Sequence, residues 1–324
     1  MPSRLLTALA VLAACVAAAG CGGDGGSDGA TAREVTLALD FTPNPVQAPV
    51  FMAARDGDDR RRGIRLRIRD PGQGPDGVQL VASGRAQLAL LDIHDLALAR
   101  EKGADVVAVA ALVGRPLAAL LAQPGIRRPR DLEGRTVGVS GLPSDPAFVK
   151  AVLRADGGDA SKVRQVTIGF SAVQRLLTRR VDAVPAFWNA EGVALRARGR
   201  PVRAFKVEDY GAPPYPEVLV ITSRATLAKR RGDVRAALAA LSAGLDATLA
   251  RPERAVAEVA AAAAAADDRS LIRAQLRAVA PTYARGLRLD RRVLERWATW
   301  EAEVGIVKRR PDVDGAFVFG LCPS

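Results

Sequence analysis

Short apolar runs, alternating or unbroken, recur from residue 34 onward, with segments of helical period between them. Residues 34–39 (EVTLAL) read as a strand ending at Asp40, and 65–69 (RLRIR) alternates as a half-exposed strand does. Residues 87–91 and 106–112 are continuous enough to be buried strands, and 136–140, 165–169 and 183–187 repeat the pattern. Helical spacing fills 78–83, 93–102, 146–155 and 171–179. This alternation predicts α/β lobes with largely parallel sheets. The C-terminal part differs: 233–250, 254–266, 270–279 and 291–304 read as helices with few strands between, Asp233 as an N-cap and Pro252 as a break. An α/β run, a second such run and a helical return predict two lobes joined by two crossovers. Pro- and Gly-bearing stretches place these near 123–130 and 211–216. The expected division is 34–128 with 212–324 in one lobe and 129–211 in the other.

The N-terminus bears on compartment. Residues 1–4 carry one cation, 5–19 are apolar, and Ala18-Ala19-Gly20 precedes Cys21. That is a secretory signal over 1–20, too short for a comfortable membrane span. Cys directly after small residues resembles the bacterial lipobox, which implies a lipid on Cys21 as the mature N-terminus. Residues 21–33, Gly-rich and polar, are expected to be a flexible tether. Of the three cysteines, Cys15 lies in the signal and Cys21 at the anchor, leaving Cys322. One mature chain therefore has neither a disulfide framework nor a Cys-based zinc site.

The net charge of +12 raises the question of nucleic acid. The cations are 41 Arg and 6 Lys, scattered without a stripe interleaved with aromatics, so no nucleic-acid partner is expected. Catalytic inventory is thin. The single histidine, His94, sits at a helix start with no nucleophile motif nearby, and reads as a structural or cleft-rim residue. No Walker A sequence occurs, and no His/Cys cluster for a transition metal; neither metal nor cofactor is expected. Gly72-Gln73-Gly74-Pro75-Asp76-Gly77 spells a dinucleotide fingerprint, with Asp92 downstream. Its strand alternates in charge, Pro75 removes an amide, and an exported chain meets little nicotinamide cofactor, so a ligand-facing loop is the reading adopted.

Six of 14 aromatic residues (Phe41, Phe170, Phe187, Trp188, Tyr210 and Tyr215) fall at strand ends or in the loops after them. Ligands of open α/β sheets bind outside the carboxyl ends of strands. Phe170 and Phe187 can equally end buried strands; Phe41 and Trp188, flanked by polar residues, are placed in the cleft. Glu191 beside these rings suits a planar heterocycle with an amino donor and a protonatable ring nitrogen, or is a solvated loop carboxylate.

Several blocks carry a family resemblance: LDFTPNP and QAPVF (39–51), GRPL (114–117), GLPSD (141–145), FWNAEG (187–192) and DYGAPPYPE (209–217). Together they resemble the solute-binding proteins of thiamine-pyrimidine-precursor importers, a family shared with fungal thiamine-pyrimidine synthases and related to alkanesulfonate and nitrate binders. The resemblance implies a two-lobed type II periplasmic-binding-protein fold with the ligand cleft between the lobes. It also implies an aminopyrimidine ligand, delivery by a monomer to an ABC permease and its ATPase, and no catalysis. Phe41, where Trp is usual, would stack on the ring; Asn44 would orient loop or ligand; Glu191 would receive the amino group; Trp188 and Tyr215 would wall the cleft. Gln47 stands where the family commonly has His. Asp40, Asp92, Ser140, Phe170 and Asn189 complete the expected ligand-binding set. An anion alternative rests on the amides of Ser140 and Gly141 before a helix. A synthase would need the missing His and a Cys-rich run.

Overall fold

The computed structural model describes residues 32–71, 76–263 and 268–323, which form one compact unit. The signal, Cys21 and most of the tether therefore lie outside the described residues, as do residues 72–75 of the fingerprint-like loop.

In chain order the elements are β1 Arg33–Ala38, α1 Ala48–Arg55, β2 Ile64–Arg69, α2 Gly77–Ala82, β3 Leu88–Asp92, α3 Ile93–Glu101 and β4 Val106–Val113. There follow β5 Ala118–Ala122, β6 Thr136–Val139, α4 Asp145–Ala155, β7 Arg164–Thr167, α5 Ala172–Leu177, β8 Ala183–Phe187, α6 Glu191–Ala197 and β9 Arg203–Lys206. The return comprises β10 Val218–Ser223, α7 Arg224–Ala250, α8 Pro252–Ala262, α9 Arg269–Val279, α10 Arg291–Glu303 and α11 Val313–Ala316. The strands assemble into two five-stranded sheets, ordered β2-β1-β3-β10-β4 and β7-β6-β8-β5-β9. In the first, β1 runs parallel to β2 and β3 while β10 is antiparallel to β3 and β4. The second repeats the plan, with β6 parallel to β7 and β8, and β5 antiparallel to β8 and β9.

Burial follows the pattern that predicted the strands. β4 is buried at every position, as an unbroken apolar run requires, whereas β2 alternates buried and exposed at its start, RLRIR keeping its arginines in water. α1 packs on α7, and Gly244 of α7 lets the helices approach at Pro49 and Ala53.

Two predicted boundaries move. β5 belongs to the second sheet, so the chain crosses between sheets at 114–117, earlier than the expected 123–130. The run AALLA, without β-branched residues, gives little strand signal until β8 and β9 pair with it. The return passes between Tyr210 and Val218. Asp233 is not an N-cap: α7 begins at Arg224 with Ser223 accepting from the Thr226 amide. Asp233 instead accepts from Arg33 at 2.6 Å and Arg230 at 2.8 Å, bracing the kink at Arg230. Pro252 opens α8 directly after the break at Arg251.

Candidate functional site

A cavity of about 120 Å³ lies between the two sheets, at the carboxyl ends of β1, β3, β6, β7 and β8. Parallel strands direct their C-termini, and the loops that follow, to the same side, so both lobes contribute one wall each.

From the first lobe come Asp40, Phe41, Asn44 and Gln47, after β1. Asn44 caps a short 3-10 turn, its Oδ1 accepting from the Val46 amide at 2.9 Å and its Nδ2 donating to the Thr42 carbonyl at 3.0 Å. Gln47 answers it, Oε1 accepting from the Asn44 amide and Nε2 donating to Asp40 Oδ1, both at 2.9 Å. A side chain this committed holds the loop in shape, and a glutamine does so at 0% exposure without carrying charge. β3 ends in Asp92, which caps α3 by accepting from the His94 amide at 2.7 Å.

From the second lobe come Ser140, Asp145 and Phe148, with Phe170, Phe187 and Glu191. Gly141 turns the chain at φ 97, a conformation glycine adopts without strain, and brings Asp145 back onto the loop. Asp145 Oδ2 accepts from the Ser140 amide at 2.6 Å, the Ser140 hydroxyl at 2.7 Å and the Gly141 amide at 3.2 Å. The amides that could have served an anion are thus filled by the protein's own carboxyl. Glu191 opens α6, and its Oε2 accepts from the Phe187 amide at 3.1 Å.

Phe41 and Phe170 meet across the lobes edge to face, with centroids 4.4 Å apart. A planar ring held between them would need about 7 Å, two contact distances. In this conformation the gap between the two rings is too narrow for a third.

Three expected wall residues do not reach the cavity. Trp188 follows Phe187 by one position, so its side chain leaves on the opposite face. Its Nε1 donates to the Pro116 carbonyl at 3.3 Å, and Lys206 Nζ sits 4.3 Å from its ring centre. Asn189 is buried off the wall. Tyr215 is fully buried behind His94, its hydroxyl 3.1 Å from His94 Nε2 and its ring stacked on Trp300.

His94 is both structural and cleft-lining. Its Nδ1 lies 2.7 Å from Glu301 Oε2, inside the core. Burial opposes its charge, but Glu301 and Asp92 outweigh that and raise its pKa to about 10, so it is an imidazolium at neutral pH. Asp92, His94 and Glu217 bring ligand-type atoms within 4.8 Å of one another. Both His94 nitrogens are already engaged, and Glu217 Oε2 accepts from the amides of Leu117 and Ala118, so hydrogen bonding accounts for the cluster.

The carboxyl groups of the wall all resist ionisation. Burial raises Asp40, against a hydrogen bond from Gln47, and raises Asp145, against those from Ser140. Burial lifts Asp92 well above the usual range; His94 counteracts this and Glu217 adds to it. Asp95 is pushed up to about 8 by burial and by Asp92. Glu191 is raised by burial, opposed by its own amide and that of Phe187. Sequence reasoning passed over Asp95 and Asp145. A carboxylate three residues after Asp92, at the start of the same helix, was the available signal for the first.

Residues 44–255 match the family described as NMT1/THI5 like. The formylaminopyrimidine-binding protein of Halalkalibacterium halodurans is 34% identical over 72% of this chain and 69% of its own length. A 4-amino-5-hydroxymethyl-2-methylpyrimidine phosphate synthase of Saccharomyces cerevisiae is 26% identical over 68% of this chain and 69% of its own. Among solved structures, the alkanesulfonate-binding protein SsuA of Xanthomonas axonopodis pv. citri, bound to MOPS, superposes with a TM-score of 0.71. It shares 15% identity and covers 88% of this chain and 98% of that one. The fold is accordingly the two-lobed one of periplasmic binding proteins, with its cleft between the lobes. On the extent of the family match and the identity to its relatives, this chain belongs to the NMT1/THI5 like family.

Proposed function

We propose that this protein captures a thiamine pyrimidine precursor, hydroxymethyl- or formylaminomethyl-aminopyrimidine, outside the cytoplasm and delivers it to an ABC permease and its ATPase without catalysis. Phe41, Asn44, Gln47, Phe170 and Glu191, with Asp40, Asp92 and Ser140, form the ligand site in this reading, and a lipid on Cys21 holds the protein at the membrane. Among the described residues no helix is long and apolar enough to cross a membrane.

One observation carries the ligand class. In a chain of net charge +12, the cavity wall bears five carboxyl groups, four phenylalanines and, among the described residues, neither Lys nor Arg. Such a wall suits a flat heterocycle that offers amino donors and a basic ring nitrogen. A sulfonate or nitrate would find neither Lys nor Arg among the described residues of the wall, His94 is already paired with Glu301, and the loop amides that could attract an anion are taken by Asp145. Among the described residues no lysine lines the cavity, so a synthase holding pyridoxal phosphate as a Schiff base would find no amine there. That supports binding over synthesis, as does Gln47 where the family commonly has His. Closure needs only that the ligand bind the closed arrangement better than the open one.

Calorimetric titration tests the reading, with hydroxymethyl-aminopyrimidine, its formylaminomethyl relative, thiamine, taurine and nitrate as ligands. A pyrimidine should bind at micromolar Kd or tighter, about −8 kcal/mol or better. Heat from taurine or nitrate, with silence from the pyrimidines, overturns the ligand and keeps the fold.

A further inference from the structure

Asp95 stands one helical turn into the site, on the cavity wall, with 5% of its surface exposed. Its two oxygens have different fates. Oδ1 accepts from the Ser144 amide at 3.1 Å, a bond from the N-cap of α4 in the second lobe to α3 in the first. Oδ2 is buried and has no hydrogen-bond partner among the described residues. Leaving a buried polar atom unpaired is unfavourable, so such an atom on a ligand cavity marks a position where the ligand supplies the partner.

We propose that Asp95 is a specificity-determining residue that binds the ligand and the opposite lobe at once. Oδ2 carries a proton and donates it to a ring nitrogen or formyl oxygen of the aminopyrimidine, while Oδ1 holds Ser144. The inference rests on the aminopyrimidine reading and adds to it a second polar contact, a donor. Glu191, on the second lobe, takes the amino group; Asp95, on the first, meets an acceptor. A ligand engaging both spans the cleft, and it does so where Asp95 already ties the lobes together. Ligand recognition and lobe closure then share one side chain.

The protonated state follows from its surroundings. Asp95 faces Asp92 and His94 from its own lobe and Asp145 from α4, with Glu217 and Glu301 behind the first two. Burial and Asp92 dominate, and the carboxyl keeps its proton up to about pH 8. Asparagine reproduces the neutral acid closely: one oxygen for the Ser144 amide and an N–H donor in place of the O–H.

Three proteins, the unaltered one, Asp95→Ala and Asp95→Asn, are titrated with both aminopyrimidines at pH 7 and pH 9, with thermal unfolding as the control for folding. Asp95→Ala should bind at least tenfold more weakly at pH 7, and Asp95→Asn within about threefold of the unaltered protein. From pH 7 to pH 9 the unaltered protein should lose about tenfold in affinity, as a group titrating near pH 8 requires, and Asp95→Asn should change little. Asp95→Ala binding within threefold of the unaltered protein overturns the assignment and leaves the aminopyrimidine reading standing. So does an equal pH loss in Asp95→Asn, which also decides the matter if the alanine variant fails to fold. Silence of the unaltered protein toward both pyrimidines overturns the two readings together.

Discussion

Glu217 joins the two segments that cross between the lobes, and its removal gives the sharpest test of how they are held. It sits at the end of the returning crossover, at 0% exposure. Its Oε2 accepts from the amides of Leu117 and Ala118, where the first crossover enters β5. Both of those residues are buried too. In Glu217→Ala the two amides lose their acceptor inside the protein, at about 1–3 kcal/mol each, or roughly 2–6 kcal/mol together. Part of that is offset, because the carboxyl is itself desolvated and its Oε1 has no partner among the described residues. The expected net destabilisation is about 2–4 kcal/mol. Glu217→Gln keeps a carbonyl oxygen for both amides and should cost less than about 1.5 kcal/mol. Urea unfolding followed by circular dichroism measures both, provided the slope against denaturant stays constant. An alanine variant within about 1 kcal/mol of the unaltered protein would refute the claim that this carboxyl fastens the crossovers.

Three further outcomes are expected. Glu191→Gln should weaken aminopyrimidine binding by about 1.5–3 kcal/mol in calorimetry, the value of a hydrogen bond to a charged group; unchanged affinity removes Glu191 from the site. His94 has its folded pKa raised to about 10 from an ordinary 6.5, so its contribution to stability is whole below pH 6.5 and lost as pH rises through 10. Urea midpoints of His94→Gln should accordingly show a flatter fall than those of the unaltered protein between pH 7 and 10, and parallel curves would count against the imidazolium. Gly244→Ala should destabilise by about 1–3 kcal/mol in thermal unfolding, because the new methyl collides with the Pro49 carbonyl and comes within 2.8 Å of the Ala53 amide nitrogen. That clash outweighs the roughly 1 kcal/mol that alanine gains over glycine in a helix, and a more stable variant would show that α1 and α7 can part freely.

The sequence by itself determined the elements whose signal is local. β1, β3, β4 and β8 lie within a residue or so of their apolar runs, and α3, α4 and α9 begin close to where the pattern starts, because period and capping are properties of adjacent residues. In the loop after β1, Asn44 and Gln47 satisfy each other three residues apart, a local contact that reading the sequence left undrawn. β5 was not legible, since an alanine–leucine run becomes a strand only when β8 and β9 flank it. The walls of the cavity were half legible. Residue type marked Phe41, Phe170 and Glu191, but only the tertiary structure turned Trp188 away and placed Tyr215 behind His94, because side-chain direction at a strand's end depends on register. Asp145 fills amides only four and five residues away, a local contact that reading the sequence missed, whereas the tie from Asp95 to Ser144 and that from Glu217 to residues 117 and 118 were decided by the tertiary structure alone. The latter two span 49 and about a hundred residues of chain, and no local pattern encodes which buried carboxyl will meet which distant amide.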